Sequence, residues 1–267
     1  MQNSPSINHD NISTMKLFLC FSLIFFGSQI SNAQSEPEHN YDESKVPEFK
    51  VPDPLMTFDG EKITSDLEWT KKRRPELYTF FEENVYGKVP GKIDDVSFKI
   101  VEQSDNALNG KAKRKQIEVT LSKNGKSLSY TILLYLPAEG HNIPVFLGYN
   151  FYGNHTVNAD PEILLTHSWV RNNKDFGITE NKATEKLRGI RSNRWAIEKI
   201  IDAGLGLATI HYGEVDPDKN DLTDGLHSLF YEEGHKNLKP EEWGSIAAWS
   251  FALSKTLDYF ETDADVD

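Results

Sequence analysis

Apolar positions change period several times along this chain, and the changes mark its elements. In residues 194–217, RWAIEKIIDAGLGLATIHYGEVDP, Trp195, Ile197, Ile200 and Ile201 fall on one helical stripe, and Gly204 suits the left-handed conformation that ends a helix. Residues 205–210 are short and nearly uncharged, the pattern of a strand covered on both faces. A polar loop, 212–224, follows at its carboxyl end. This is one half of a βαβ unit, and such sheets place their chemistry on the loops after their strands.

The same reading applied upstream predicts a helix from Ser65, with Leu77, Phe80, Phe81 and Val85 as its apolar face and Gly87 as its stop. Residues 96–101 alternate apolar and polar, which predicts a strand. Residues 115–122 and 127–136 predict two more, joined through Asn124-Gly125, a strong hairpin signal. Residues 144–149 form a short apolar strand that runs into Asn150-Phe151-Tyr152-Gly153-Asn154-His155-Thr156. Residues 160–189 are irregular and read as an insertion over the top of the domain. A long helix is predicted over 240–261, with Glu241 and Glu242 near its positive end. A right-handed βαβ topology then calls for another parallel strand after 262–267.

The amino end reads differently. Residues 15–33 have Lys16 as a minimal basic region, an apolar run over 17–26 and Ser31-Asn32-Ala33 as a cleavage site, so 1–33 is expected to be a signal peptide with Met15 as its start. The run is shorter than the roughly 20 residues that span a bilayer. A secreted or periplasmic protein without membrane anchor is expected. Residues 34–62 read as a flexible linker and 63–267 as the folded domain. Cys20, the only cysteine among the 267 residues, falls in the peptide to be removed, which leaves no thiol chemistry in the mature protein. A net charge of −12 argues against nucleic acid as a partner.

Four stretches are candidates for chemistry. No G-x-S-x-G elbow occurs, and Gly244-Ser245 lacks the second glycine, so Ser245 is read as a packing residue. Asp216, Asp218, Asn220, Asp221 and Asp224 imitate a calcium loop, but Asp221 stands where glycine is needed and His227 where glutamate is needed. Turn capping is the preferred reading. His155, His211 and His227 lie near strand ends without zinc spacing, and no metal site is expected. Asn154-His155-Thr156 also forms a glycosylation sequon. The loop 148–153 suits, by position and glycine content, the loop after the third strand of α/β-hydrolases, which supplies a backbone N–H to the oxyanion hole; an ordinary βα loop fits the spacing equally.

Together these segments resemble a known family, the secreted glucuronoyl methylesterases of carbohydrate esterase family fifteen. The resemblance rests on LGYNFYGNHT (147–156), SNRWAIEKIIDAGLGLATIHYGEVDPD (192–218), DGLHSLF (224–230) and WGSIAAWSFALSKTLDYFETDADVD (243–267). It implies a three-layer αβα sandwich of α/β-hydrolase type and a cofactor-free Ser–acid–His mechanism. The implied substrates are glucuronoyl esters of xylan at lignin–carbohydrate bonds in plant cell walls, and the full-length enzyme is expected to be a monomer. In the family the nucleophile elbow follows the segment matching 260–267, so the chain is expected to match the N-terminal half and to stop before the nucleophile strand. In that sheet order, residues 144–149 become an exposed edge. No catalytic residue carries over; Asn150, Phe151, Gly153, Asn154 and His155 match the strand-three loop, as oxyanion or substrate-pocket support. Acetylxylan esterase activity is a variant of the same chemistry. A non-catalytic secreted carbohydrate-binding protein, using Trp169, Trp195 and Tyr212, is the rival, and Arg188, Arg191 and Arg194 could offset the negative charge towards an acidic sugar.

Overall fold

The computed structural model describes residues 39–232, 234–235 and 237–267. The expected signal peptide lies outside them. The chain divides into two compact units, 1–53 and 54–267. In the described part of the first, Asp42 caps a single 3-10 turn, Glu43–Lys45, accepting from the Ser44 N–H at 3.1 Å. Every residue from 39 to 53 is exposed.

The second unit begins with a helical run over 66–86. Ser65 caps it, and π-helical turns Trp69–Arg73 and Glu82–Tyr86 flank α1 (Arg74–Phe81). The predicted apolar face of this helix is largely at the surface, with Phe80, Phe81 and Val85 all more than 40% exposed. Five strands follow: β1 (Asp95–Asn106), β2 (Ala112–Lys123), β3 (Lys126–Pro137), β4 (Val145–Asn150) and, after α2 (Ile197–Asp202), β5 (Gly206–His211). They form one sheet in the order β1-β2-β3-β5-β4, antiparallel except for the parallel β4–β5 pair. Single helical turns α3 (Tyr212–Val215) and α4 (His227–Phe230) precede α5 (Ser245–Phe260). No helix among the described residues is long and apolar enough to cross a membrane.

Strand alternation decides the layers. Ile132, Leu134 and Leu136 of β3, Ile117, Val119 and Leu121 of β2, and Ala208 and Ile210 of β5 face α5, packing on Ala248, Ala252, Tyr259 and Phe260. Leu133, Tyr135 and Leu207 point the other way, onto Ile197 and Ile201 of α2 and onto Val157 and Ile163. All six positions of β5 are buried, as its uncharged run predicts. The result is helix, sheet and helix in three layers.

The hairpin forms at Asn124-Gly125, both with positive φ, and its strands run a few residues beyond the predicted ends. Gly204, at φ 76°, follows α2 as expected. Three predictions need correction. The helix expected from Arg194 starts at Ile197, because residues 191–194 make turns back onto the loop after β4, Arg191 N–H donating to the Thr156 carbonyl at 2.8 Å. The helix expected from Pro240 starts at Ser245, because residues 241–244 pair with the end of the first helical run and the residues just after it: Lys88 N–H donates to the Glu241 carbonyl at 2.9 Å and Gly244 N–H to the Tyr86 carbonyl at 3.1 Å. The loop 212–224 is not simply polar surface, since α3 and Asp216 are drawn inward and Val215 is fully buried.

The insertion does more than lie over the top. It carries its own small cluster, Val170, Ile178 and Leu187, and it covers the polar face of β2. Arg114, only 3% exposed, bonds Glu102 through two nitrogens at 2.9 and 2.6 Å and also bonds Asp160. Gln116 donates to the Glu162 carbonyl at 2.9 Å and accepts from the Leu164 N–H at 2.8 Å. An arginine buried this deeply is tolerable only with its partners in place. At the opposite end of the sheet, β4 pairs only with β5 and is the edge, with Phe146 58% exposed.

Ala252 sits at zero exposure between α5 and the sheet, its carbonyl accepting from the Tyr130 hydroxyl at 2.9 Å. Replacing it with leucine overpacks this contact. Ala252→Leu is expected to cost about 1–3 kcal/mol, read as a lowered urea midpoint with unchanged slope.

Candidate active site

The loops after β4 and β5 meet at one end of the sheet, where the buried polar groups must satisfy one another. Asn150, 2% exposed, is the hub. Its Oδ1 accepts from the Gly153 N–H at 2.8 Å, and its Nδ2 donates to Asn154 Oδ1 at 2.7 Å and to Thr209 Oγ1 at 3.1 Å. Asn154 Nδ2 then donates to the Thr131 carbonyl of β3 at 2.9 Å, and the Thr156 hydroxyl to the Gly153 carbonyl at 2.8 Å. One side chain thus joins β4, β5 and the turn 154–156.

Gly153 is required here on two counts. Its φ of 103° disfavours any side chain, and a Cβ would stand 2.7 Å from the His155 ring and 2.8 Å from Thr166. His155 is fully buried, and among the described residues neither ring nitrogen has a partner in good hydrogen-bond geometry, the Thr184 backbone being the polar group that acts on it. Burial, with the Arg188 charge adding to it, lowers its pKa to about 4, so it is a neutral imidazole. His211 is also lowered to about 4 by burial, its Nε2 lying 3.0 Å from the Trp169 carbonyl.

Glu214 of α3 enters the same region. The residue as a whole is half-buried, but its carboxylate turns inward and accepts from the Thr131 N–H at 2.7 Å. Burial pushes this carboxyl up to about 7, against the opposing effect of its bonds to the Thr166 hydroxyl and the Thr131 N–H. A carboxyl that titrates near neutrality beside a strand-end loop is a functional candidate. Sequence reading passed over it; its only signal was an acidic residue three positions beyond a wholly buried strand.

A cavity of about 190 Å³ opens at the end of β4, lined by Tyr149, Asn150, Phe151, Tyr152, Thr156, Arg191, Arg194 and Trp195. Phe151 is 59% exposed and packs on Tyr212 with ring centres 5.2 Å apart. Of the five sequence candidates, Asn150 and Phe151 line this cavity. Gly153, Asn154 and His155 lie in the buried network behind it, and the Gly153 N–H is spent on Asn150. Asn154, at 3% exposure, is too buried to accept a glycan in the folded state.

The remaining candidates separate. Asp218 pairs with Arg171, Asp221 caps the Thr223 N–H at 3.0 Å, and Asp224 pairs with Lys219 at 2.5 Å. His227 stands apart from the other two histidines. Its Nδ1 is 2.7 Å from Asp216 Oδ1 and its Nε2 3.1 Å from the Trp243 carbonyl, two acceptors that together require a doubly protonated ring. Among the described residues no three His, Cys, Asp or Glu side chains are grouped to hold a metal ion.

A mixed sheet covered on both faces, with its polar loops gathered at the carboxyl ends of a parallel pair, is of the α/β-hydrolase type. Comparison with known proteins gives the relatives. No family model matches the chain. A carbohydrate esterase, MZ0003, from an unknown prokaryotic organism is 47% identical over 229 residues, which are 85% of this chain and 53% of that protein. The solved structure of a promiscuous CE15 esterase from the marine bacterial metagenome matches with 47% identity and a TM-score of 0.75, over 85% of this chain and 57% of its own. The glucuronoyl esterase from Solibacter usitatus is 38% identical with a TM-score of 0.75, over 84% of this chain and 57% of its own. The resemblance to glucuronoyl esterases of carbohydrate esterase family fifteen is therefore borne out, and the chain spans about half the length of the relatives it matches.

Two predictions follow from the buried polar groups. Asn150→Ala removes three hydrogen bonds and strands Asn154, and should cost about 1–3 kcal/mol or more, measured by urea denaturation. For His227, burial alone would lower the pKa, but Asp216 and the Trp243 carbonyl outweigh it and the net shift is upward. Its contribution is complete below the unfolded histidine value of about 6.5 and is lost as pH rises through the raised folded value. The stability advantage of the wild type over His227→Gln should therefore shrink as pH is raised from 6 to 9.

Proposed function

We propose that this chain is part of a secreted carboxylic ester hydrolase that cleaves glucuronoyl esters of plant cell-wall xylan, at lignin–carbohydrate bonds, by a serine mechanism. The observation that carries the reading is the 47% identity to a carbohydrate esterase across 85% of the chain. Nucleophile, acid and histidine are not assigned within residues 1–267, which hold no G-x-S-x-G elbow. The open apolar edge at β4 supports this reading, because natural proteins cover or pair such edges, and the matched residues make up only 53% and 57% of the relatives.

In this reading the residues described here build the substrate side of the pocket. The Asn150 network fixes the loop after β4, and Phe151 and Trp195 offer flat faces to a sugar ring. Because the Gly153 N–H is engaged by Asn150, the loop acts as a pocket wall and does not supply an oxyanion donor from Gly153. Hydrolysis adds water across the acyl–oxygen bond, releases the alcohol and leaves a uronic acid, which ionises. No cofactor is needed for that chemistry.

The test is turnover by the native secreted gene product on methyl and benzyl glucuronate esters, with acetylated xylan as the comparison. The expected result is release of the alcohol from the glucuronate esters, abolished by a serine-directed phosphonylating reagent. Preferential deacetylation would move the activity to acetylxylan. Retention on xylan fragments without turnover of either ester would replace the reading with a carbohydrate-binding protein.

A further inference from the structure

Two arginines at the cavity after β4 have no carboxylate partner among the described residues. Arg191 and Arg194 both line it, and among the described residues neither guanidinium forms an ion pair or a side-chain hydrogen bond. Their neighbours differ, since Arg171 pairs with Asp218 and Arg188 with Glu185. The chain carries 41 acidic residues against 29 basic ones, so an unpaired arginine pair is not explained by a shortage of carboxylates. Arg191 is held in place by aromatic faces instead. Its guanidinium carbon lies 5.6 Å from the Tyr152 ring centre and 5.2 Å from that of Phe176, an arrangement that fixes a cation without neutralising it.

The other lining groups are mostly committed. Asn150 is spent in its network, the Thr156 hydroxyl donates to the Gly153 carbonyl, and the Tyr149 hydroxyl donates to the Trp249 carbonyl at 2.7 Å. What the cavity offers a ligand is two cationic forks and the flat faces of Trp195 and Phe151. At about 190 Å³ it is smaller than the roughly 300–1,000 Å³ of pockets for drug-sized ligands, so it suits one ring with one charged group.

We propose that Arg191 and Arg194 form a subsite for the free carboxylate of a uronic acid residue, with Trp195 and Phe151 against its ring. This rests on the esterase reading and deepens it. The ester is neutral at its acyl group while the product is a carboxylate, so such a subsite favours the de-esterified sugar or an unesterified uronate on the same polymer. Guanidinium groups recognise a carboxylate through paired N–H donors, which a neutral sugar cannot exploit.

Calorimetric titration of the protein compares a glucuronic-acid-bearing xylo-oligosaccharide, the matching neutral xylo-oligosaccharide and inorganic phosphate. The acidic sugar should bind at least about 10-fold more tightly than the neutral one, and more weakly as salt rises. Arg191→Gln and Arg194→Gln should each weaken the acidic sugar by about 10-fold or more and leave the neutral one unchanged. Arg194 is exposed, so its substitution does not endanger folding if that of Arg191 does. Equal binding of the two sugars, unchanged binding by Arg194→Gln, or phosphate bound as tightly as uronate would each overturn the subsite. Ester hydrolysis without uronate binding removes the subsite alone; uronate binding without hydrolysis removes the esterase reading alone.

Discussion

The carboxyl ends of β4 and β5 are buried, and leaving a polar group there without a partner inside the protein is costly. Asn150 meets that constraint almost alone. Its amide bonds the backbone of its own loop, a neighbouring asparagine and a threonine on the adjacent strand. Through Asn154 the chain of bonds reaches β3. An amide has both donor and acceptor atoms, so one side chain can link an N–H, a carbonyl-type oxygen and a hydroxyl. An aspartate could accept but not donate, and a leucine would leave the Gly153 N–H, the Asn154 Oδ1 and the Thr209 hydroxyl without their bonds to residue 150.

The loop so fixed sets the geometry of what lies in front of it. Phe151 is thrown outward onto Tyr212, and the backbone of 155 and 156 is bonded by Gly189 and Arg191 of the next segment. That pairing brings Arg191, Arg194 and Trp195 to the cavity. The insertion is secured at its base as well, where Arg114 joins Glu102 of β1 to Asp160. The polar face of β2 is therefore an attachment surface, not a solvent face, and it explains why β2 is buried on both sides of its alternation.

The charge arrangement follows the same division of labour. Cations that hold the fold together are paired: Arg114 with Glu102 and Asp160, Lys115 with Asp263 and Asp265, Arg188 with Glu185. The two that face the cavity are not. In a chain of net charge −12 a local positive site still draws an anion, because exposed charges beyond about 10 Å are largely screened at ordinary ionic strength. The neutral histidines add no charge behind the loop near neutral pH, and Glu214, raised to about 7 by burial, is only partly ionised there.

Local pattern alone determined β5, the β2–β3 hairpin and the glycine stop after α2, because these follow from local preference and from one-dimensional burial patterns; the three-layer arrangement was implied by the family resemblance. Spacing and order of four segments were enough to point to the esterase family. Three outcomes needed the tertiary structure. The starts of α2 and α5 were displaced because residues just before them bond to chain segments distant in sequence, and no local signal records such partners. The five residues of the loop after β4 divided into cavity lining and hidden support, since adjacent residues on a tight turn point in opposite directions. Glu214 and the arginine pair gained their significance from what surrounds them: burial of its carboxyl raises one to prominence, and the absence of a carboxylate partner among the described residues distinguishes the others. Sequence fixes which groups are available, but only the packed fold decides which are left unpaired.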